Sequence, residues 1–265
     1  MNRFLAIMIM LLPFVPVMAT AAVHKETVEY KQNGTVLEGY LAYDDSSKDK
    51  RPGVVLVPDW MGVHDHYKGI ADKLVGLGYV AFVADIYGKG VRPANTEEAA
   101  ALANKYKSDR PAMRARAVAA LEALKKSPVV DPDRIAAIGY CFGGTTVLEL
   151  ARSGAPLKGV VSFHGGLGTP TAEDAKNIKA KVLALHGADD PFVPAAEVAA
   201  FQEEMRKGGV DWQMVFYGDA VHSFTKQAAG SDKSKGNAYN EKADRRSWKA
   251  MKTFFKELFE PGTKK

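Results

Sequence analysis

Three side chains with the chemistry of acyl transfer, Cys141, Asp190 and His222, each follow a short apolar run of the sequence. A thiol becomes a good nucleophile when a neighbouring imidazole takes its proton, and a carboxylate holds that imidazole in the productive tautomer. The residues occur in the order nucleophile, acid, base, as in triads whose nucleophile lies between a strand and a helix. The order predicts a cysteine-dependent hydrolase in which Cys141 attacks a carbonyl carbon, His222 transfers the proton and Asp190 orients His222.

Cys141 is the only cysteine of the chain and lies in the sequence Gly-Tyr-Cys-Phe-Gly-Gly of residues 139–144. A strand that enters Gly-x-nucleophile-x-Gly and continues as a helix is typical of a nucleophile elbow, a tight turn that presents the nucleophile. Gly139 and Gly143 suit such a turn because a Cβ on either would collide with the adjoining strand or helix. The alternative is an ordinary buried thiol, since free cysteines are often buried. The elbow and the partner residues favour a reactive thiol.

Two neighbouring carboxylates compete for the role of the acid. Asp190 stands just before Val193 and Pro194, where the chain turns into the next helix, whereas Asp189 can instead cap the turn. We favour Asp190 and keep Asp189 as the alternative. His222 alone occupies the loop after the last apolar run. The other histidines are expected to be structural or exposed: His24, His64, His66, His164 and His186.

The negative oxygen that forms during acyl transfer needs fixed N–H donors. The backbone N–H of Phe142, directly after the nucleophile, is the first expected donor. The second is expected from the loop after the apolar run 53–58, at the N–H of Trp60. Trp60 can also be a packing aromatic at a strand end, and the two roles are compatible. One such donor typically contributes about 3 kcal/mol of transition-state stabilisation.

Apolar, β-branched runs alternate with helical patterns from residue 53 onward, which predicts an α/β fold with a mostly parallel twisted sheet and helices on both faces. Asn33 and Gly34, between two alternating segments, predict an N-terminal β-hairpin. The predicted strands are 26–31, 35–43, 53–58, 79–84, 134–138, 157–162, 181–186 and 211–216. The predicted helices are 66–77, 96–107, 110–126, 142–152, 194–207 and 239–258.

Residues 1–21 differ from the rest of the chain. Arg3 precedes the nearly continuous apolar run 4–18, and a small-x-small pattern ends at Ala21. This pattern predicts a signal peptide cleaved near Ala21, a periplasmic or secreted protein, and a single domain over residues 22–265. The apolar run is too short and too interrupted by proline for a comfortable membrane span. In an oxidising compartment most cysteines pair, so a lone cysteine favours a free reactive thiol.

The composition argues against several other classes of function. A hydrophobic content of 46% and a charged content of 25% are typical of a globular protein. The net charge of +5 is scattered along the chain, which argues against nucleic-acid binding. The sequence has no complete metal-ligand spacing and no glycine-rich phosphate motif, so no metal and no cofactor are expected. The expected partner is a small lactone or ester, and we expect a monomer with no membrane span in the mature chain.

Five segments extend the pattern beyond the triad: 58–62, 84–88, 139–144, 190–194 and 222–224. On these segments the chain resembles the dienelactone hydrolase (carboxymethylenebutenolidase) family of α/β-hydrolases, from about residue 54 to residue 255. The resemblance implies an α/β-hydrolase fold and hydrolysis of a lactone or ester through a thioester intermediate. It also implies that the family's triad is carried here by Cys141, Asp190 and His222.

Two positions depart from the best-known members of that family. Those members place a glutamate near the thiol to help control its ionisation, and the matching residue here is Asp59, one methylene shorter. They also bind a substrate carboxylate with two arginines, for which this chain offers Lys226 and either Lys89 or Arg92. Lysine lacks the planar fork of arginine, and all three side chains can equally be solvated surface charges. Whether the substrate is anionic is therefore left open.

Two other functions fit the same residues. One keeps the fold and the triad but acts on peptides, acyl-sugars or larger polymers. The other is a binding protein that retains the triad as a relic. A panel of acyl substrates distinguishes a peptide, acyl-sugar or polymer hydrolase from a lactone or ester hydrolase. The reactivity of the Cys141 thiol distinguishes an enzyme from a binding protein.

Overall fold

A computed structural model describes residues 23–260 of the chain. The predicted signal peptide lies outside the described residues and stays a prediction. The strands are β1 (Val23–Gln32), β2 (Thr35–Asp44), β3 (Arg51–Val57), β4 (Val80–Val83), β5 (Val130–Tyr140), β6 (Gly159–Phe163), β7 (Lys181–Gly187) and β8 (Trp212–Tyr217). The α-helices are α1 (Asp65–Val75), α2 (Thr96–Ser108), α3 (Arg110–Lys125), α4 (Phe142–Arg152), α5 (Ala195–Lys207) and α6 (Glu241–Phe259).

The eight strands form one sheet in the order β1-β2-β4-β3-β5-β6-β7-β8. Strands β1 and β2 form the predicted hairpin, with Asn33 and Gly34 at positive φ in its turn. Strand β2 then pairs antiparallel to β4, and every pair from β4 to β8 is parallel. The predicted α/β architecture with a mostly parallel sheet and an N-terminal hairpin is confirmed.

Each face of the sheet has its own apolar core, because successive side chains of a strand point to opposite faces. In β3, Val55 and Val57 belong to the core under α2, α3, α4 and α5, whereas Val54 and Leu56 belong to the core under α1 and α6. Helices on both faces explain why the central strands are continuously apolar. Within residues 23–260, no helix combines the length and the apolar character that a membrane crossing requires.

The parallel strands bring the predicted chemistry to one edge of the sheet. Cys141 follows β5, Asp190 lies in the turn after β7, and His222 lies in the loop after β8. The carboxyl ends of parallel strands face the same side, and this is where open α/β sheets bind ligands. Three residues far apart in sequence therefore converge without any special loop.

Strand β5 begins at Val130, four residues before its predicted start. Val130 and Asp131 pair with Arg51 and Pro52, and the register then shifts so that Gly53 pairs with Ile135. The extra residues form an irregularity between two pairing segments. Their pairing depends on β3, so the local sequence of β5 does not indicate it.

Candidate active site

Cys141 occupies the strained turn that the glycine pattern predicts. Its φ of 54° lies in the left-handed region, which residues with a Cβ rarely adopt, and α4 starts at the next residue. A Cβ on Gly139 would lie 2.0 Å from the carbonyl oxygen of Gly143, and one on Gly143 would lie 2.1 Å from that of Val57. Both glycines are required because strand, turn and helix approach each other through their backbones.

The side chains of Cys141, His222 and Asp190 form one continuous hydrogen-bonded chain. The Sγ atom of Cys141 is 2.9 Å from Nε2 of His222, and Nδ1 of His222 is 2.9 Å from Oδ2 of Asp190. Asp190 is buried, and its other carboxylate oxygen accepts the backbone N–H of Phe192 at 2.9 Å, which fixes its orientation. Asp189 is exposed. The structure thus brings together the three residues that the sequence predicts, with Asp190 rather than Asp189 against the imidazole.

The surroundings of His222 favour its protonated form. Burial by itself lowers the pKa of the imidazole, but the charge of Cys141 and the hydrogen bonds to Asp190 and Cys141 outweigh burial and raise the pKa to about 10. The protonated imidazole is therefore the favoured form of His222 at neutral pH. In that form Nε2 carries a proton next to Sγ, an arrangement that suits general acid catalysis.

We expect His222 to stay protonated at neutral pH and to titrate near its raised pKa. The Cys141→Ala substitution removes the sulfur's charge and hydrogen bond, so the pKa of His222 should fall toward its usual value. NMR titration of imidazole-labelled protein checks both statements, with exposed His66 as an internal comparison. A His222 that titrates at the same pH with and without the thiol would contradict this account of its charge.

The two backbone N–H groups predicted to bind an oxyanion belong to Trp60 and Phe142, which follow the neighbouring strands β3 and β5. Phe142 is the first residue of α4, so its N–H has no partner within the helix. Trp60 lies in the turn after β3, whose end pairs with Gly139 of β5. Neither N–H donates to another group in the described part of the chain. The Tyr87 hydroxyl donates to the Trp60 carbonyl at 2.9 Å, which holds the turn in place.

His164 supports His222 from beside the triad. It is buried at the end of β6, and its ring centroid lies 5.3 Å from that of His222 in an edge-to-face arrangement. Its Nε2 is 2.8 Å from the hydroxyl of Thr225. Burial and the neighbouring His222 hold the pKa of His164 well below its usual value, so it packs as a neutral ring. The structural role expected for this histidine agrees with these contacts.

Asp59 is paired with Lys226. Its Oδ2 accepts from Lys226 Nζ at 2.6 Å, and its Oδ1 accepts the N–H of Met61 at 2.9 Å. His64 Nε2 lies 3.7 Å away, which is too long for a hydrogen bond. Burial opposes ionisation, but the neighbouring His64 and Lys226 hold the pKa of the Asp59 carboxyl well below its usual value. Asp59 makes no hydrogen bond to the thiol in the described residues, so its thiol-tuning role stays a prediction that would act through space.

The Lys226→Met substitution is expected to destabilise the protein by about 1–3 kcal/mol at neutral pH, because it leaves a buried carboxylate without its cation. The pKa of Asp59 is depressed in the folded state, so its stabilisation is present above the unfolded value of about 4. That stabilisation is lost as the pH falls through the lower folded value. The difference between wild type and variant should therefore shrink on acidification below pH about 4, as measured by urea unfolding.

A matched control is Lys235→Met, which removes an exposed lysine that lies 3.7 Å from Asp232. It should leave the free energy of unfolding unchanged, since exposed ion pairs contribute little. Equal effects of the two substitutions would show that the Asp59–Lys226 pair behaves as a surface pair.

The other two predicted substrate-binding cations differ in position. Lys89 is exposed and pairs with Glu29 of β1. Arg92 donates to the carbonyls of Val63 and Val91 at 3.1 and 2.8 Å. Arg92 and Lys226 line one small cavity of about 330 Å³, and Lys89 is not among its lining residues. Arg92 and Lys226 thus face a common space while each is held by protein groups, and their role toward substrate stays a prediction.

A larger cavity of about 680 Å³ is bordered by neighbours of Cys141 and His222, although Cys141, Asp190 and His222 themselves do not line it. Thr145, one turn along α4 from Cys141, borders it, as does Phe192, whose ring stands edge-on to His222 with centroids 5.5 Å apart. Phe192 is 58% exposed, and its side chain contacts both the cavity and the ring of His222. The volume suits a small organic molecule. Phe192 is not among the site residues predicted from the sequence, although it lies only two residues after Asp190.

The model of the family described as "Dienelactone hydrolase family" matches residues 37–259. The chain belongs to the dienelactone hydrolase family. Relatives include a putative carboxymethylenebutenolidase of Aquifex aeolicus, which is 28% identical over 87% of this chain and 97% of its own length. A probable 2-oxo-3-(5-oxofuran-2-ylidene)propanoate lactonase of Bradyrhizobium is 27% identical over 78% of this chain and 86% of its own.

Solved structures agree with the family assignment. This member of the dienelactone hydrolase family is similar to a dienelactone hydrolase-like promiscuous phosphotriesterase from metagenomic libraries. The two are 44% identical, with a TM-score of 0.86 over 90% of this chain and 99% of the other. A putative dienelactone hydrolase from Klebsiella pneumoniae, at 20% identity and a TM-score of 0.70, shares the fold. The predicted α/β-hydrolase fold and the predicted family are confirmed, and the protein is a dienelactone hydrolase-like hydrolase.

Proposed function

We propose that this protein is an exported hydrolase of small lactones or esters that acts through Cys141 and a thioester intermediate. The observation that carries the proposal is the unbroken chain from Sγ through His222 to Asp190, with both contacts at 2.9 Å. The positive φ of Cys141 supports it, because strain of this kind persists mainly at functional sites. The neighbouring cavity of about 680 Å³ is large enough for a small molecule.

The proposed reaction has two halves. The Cys141 thiolate attacks the carbonyl carbon, and the oxyanion accepts hydrogen bonds from the N–H groups of Trp60 and Phe142. The C–O bond then breaks, and His222 gives its proton to the departing alkoxide, which leaves a thioester on Cys141. A water molecule next loses a proton to His222 and attacks the thioester. The C–S bond breaks, the acid leaves, and the imidazolium–thiolate pair is restored.

Intact-mass spectrometry during turnover of 4-nitrophenyl acetate tests the intermediate. We expect an acetyl adduct on wild-type protein that maps to Cys141 and decays as the ester is consumed. Turnover of a five-membered enol lactone, compared with chromogenic peptides and acyl-sugars, tests the substrate class. Turnover without any adduct on Cys141 would contradict the thioester route, and a preference for peptides would contradict the lactone assignment. A thiol that reacts with no ester and no electrophile would favour the binding protein.

Export rests on the sequence of residues 1–21 and is tested separately. The full chain, expressed in a Gram-negative host, should appear in the periplasmic fraction with a new N-terminus at Ala22. Protein that stays in the cytoplasm with its N-terminus intact would contradict export and leave the chemistry of Cys141 untouched.

Phosphotriester hydrolysis is a second candidate activity. Its support is the 44% identity to a relative described as a promiscuous phosphotriesterase. A thiolate that attacks phosphorus displaces an aryloxide and leaves a phosphorylated sulfur, and the same N–H donors suit the phosphoryl oxygen. Release of 4-nitrophenol from diethyl 4-nitrophenyl phosphate, lost in Cys141→Ala, would support this activity. Release that persists in the variant would exclude Cys141 as its nucleophile.

A further inference from the structure

A groove of about 500 Å³ between α1 and α6 lies on the face of the sheet opposite the helices α2 to α5. We call it the α1/α6 groove. It is lined by His66, Ile70, Lys73, Tyr140, Thr225, Asp244, Arg245, Trp248, Lys249 and Lys252. None of these side chains belongs to the triad, and the reaction proposed above does not use the groove.

The α1/α6 groove has a surplus of positive charge. Lys73, Arg245, Lys249 and Lys252 line it, against the single carboxylate of Asp244. None of the four cations has an ion-pair partner within residues 23–260. Some surface lysines are paired, as Lys181 is with two carboxylates, and others are not. The four cations of the groove are distinguished by lining one concavity. Four unpaired cations around one concavity form a field that attracts anions.

Asp244 does not cancel this field. Its Oδ2 accepts from the hydroxyl of Tyr239 at 3.3 Å. Burial raises the pKa of its carboxyl against the opposing effects of Tyr239 and Lys73. One carboxylate offsets at most one of the four positive charges. The groove therefore stays cationic.

The groove also has an apolar side. Trp248 is half-buried against the core under α6, and Ile70 lies across from it on α1. Three of the four cations lie on α6 within two turns of the helix that also contains Trp248. A ligand with a flat apolar part and an acidic group can therefore contact both the indole ring and these cations. A ring against Trp248 adds stacking and area burial to the ionic contacts.

We propose that the α1/α6 groove is a binding site for a small aromatic compound that carries a doubly charged phosphoryl-type group. The cations bind the charged oxygens, and Trp248 and Ile70 contact the ring. A concave site of this volume suits a small molecule rather than a flat polyanion. The floor of the groove touches the catalytic segment, since Tyr140 directly precedes Cys141 and Thr225 bonds to His164 beside His222.

Isothermal titration calorimetry with phenylphosphonate tests the site without any turnover. We expect one saturable site on wild-type protein, weaker at high salt because the contacts are ionic. The Lys249→Gln/Lys252→Gln variant should lose about tenfold in affinity. The matched control is Lys242→Gln/Lys256→Gln, which removes the same charge from exposed positions of α6 outside the groove and should change affinity by less than about twofold.

Two further experiments determine where the ligand binds. Methylphosphonate, which has no ring, should bind wild-type protein more weakly than phenylphosphonate does. The two ligands should bind the Trp248→Ala variant with equal affinity. Protein alkylated at Cys141 with iodoacetamide should bind phenylphosphonate as well as unmodified protein. Loss of binding on alkylation would place the ligand at the triad and overturn the proposal. Equal losses of affinity in the two lysine variants, or no binding to wild-type protein, would also overturn it. These outcomes are independent of whether the protein hydrolyses esters.

Discussion

The Cys141→Ala substitution is expected to lower kcat/KM for ester hydrolysis by a factor on the order of 10⁴ to 10⁶. In the proposed mechanism the sulfur is the atom that forms the thioester, and nothing else in the hydrogen-bonded chain can replace it. His222 and Asp190 remain, but without Sγ they can only assist water. The oxyanion donors and the cavity are unchanged, so binding of substrate, measured with a non-hydrolysable analogue, should persist.

The combined effect of two substitutions is a sharper test of the hydrogen-bonded chain from Cys141 to Asp190. His222→Gln alone should cost nearly as much as Cys141→Ala, and the double variant should be no slower than either single variant, since the residues act as a unit. Stopped assays with purified variants measure the rates, and urea unfolding confirms that each variant is folded. Losses that multiply in the double variant would show that Cys141 and His222 act independently, against the 2.9 Å contact between them.

The sequence was sufficient to predict which side chains meet, because the carboxyl ends of parallel strands share one edge. Given β5, β7 and β8, the residues that follow them must converge, and Cys141, Asp190 and His222 do. The position of the next helix favoured Asp190 but left Asp189 open, and the contact with His222 distinguishes them. The catalytic roles of these residues stay predictions until the variants are assayed.

Contacts between distant segments could not be predicted in the same way. Asp59 and Lys226 are 167 positions apart, and no local pattern couples them. Each was considered separately, one as a partner of the thiol and one as a ligand of the substrate, while the structure pairs them with each other. The sequence specifies residue types at each strand end, but the length and direction of each loop decide which charges meet.

The ion pairs of helix α4 could not be predicted from the sequence either. Glu149 and Arg152 are three residues apart, the spacing of an ordinary surface pair, and so are Glu203 and Arg206 of α5. Yet Arg152 and Glu149 are fully buried, whereas the α5 pair is exposed. Arg152 binds both carboxylate oxygens of Glu204 at 2.7 Å, and Arg114 reaches Glu149 at 2.7 Å. Only the packing of α3, α4 and α5 against one another distinguishes the two pairs.

The Arg152→Met substitution is expected to destabilise the protein by about 3–5 kcal/mol, because it leaves Glu204 buried without its cation. That is a large share of the stability of a typical domain. Arg206→Met, at the same spacing on the surface, should barely change the free energy of unfolding in urea. The Arg152→Met/Glu204→Leu variant should be more stable than Arg152→Met alone, since it removes the uncompensated charge as well. If both arginine variants unfold at the same urea concentration, burial does not determine the strength of this pair. A double variant that is less stable than Arg152→Met would instead show that the cost lies in lost packing rather than in the stranded carboxylate.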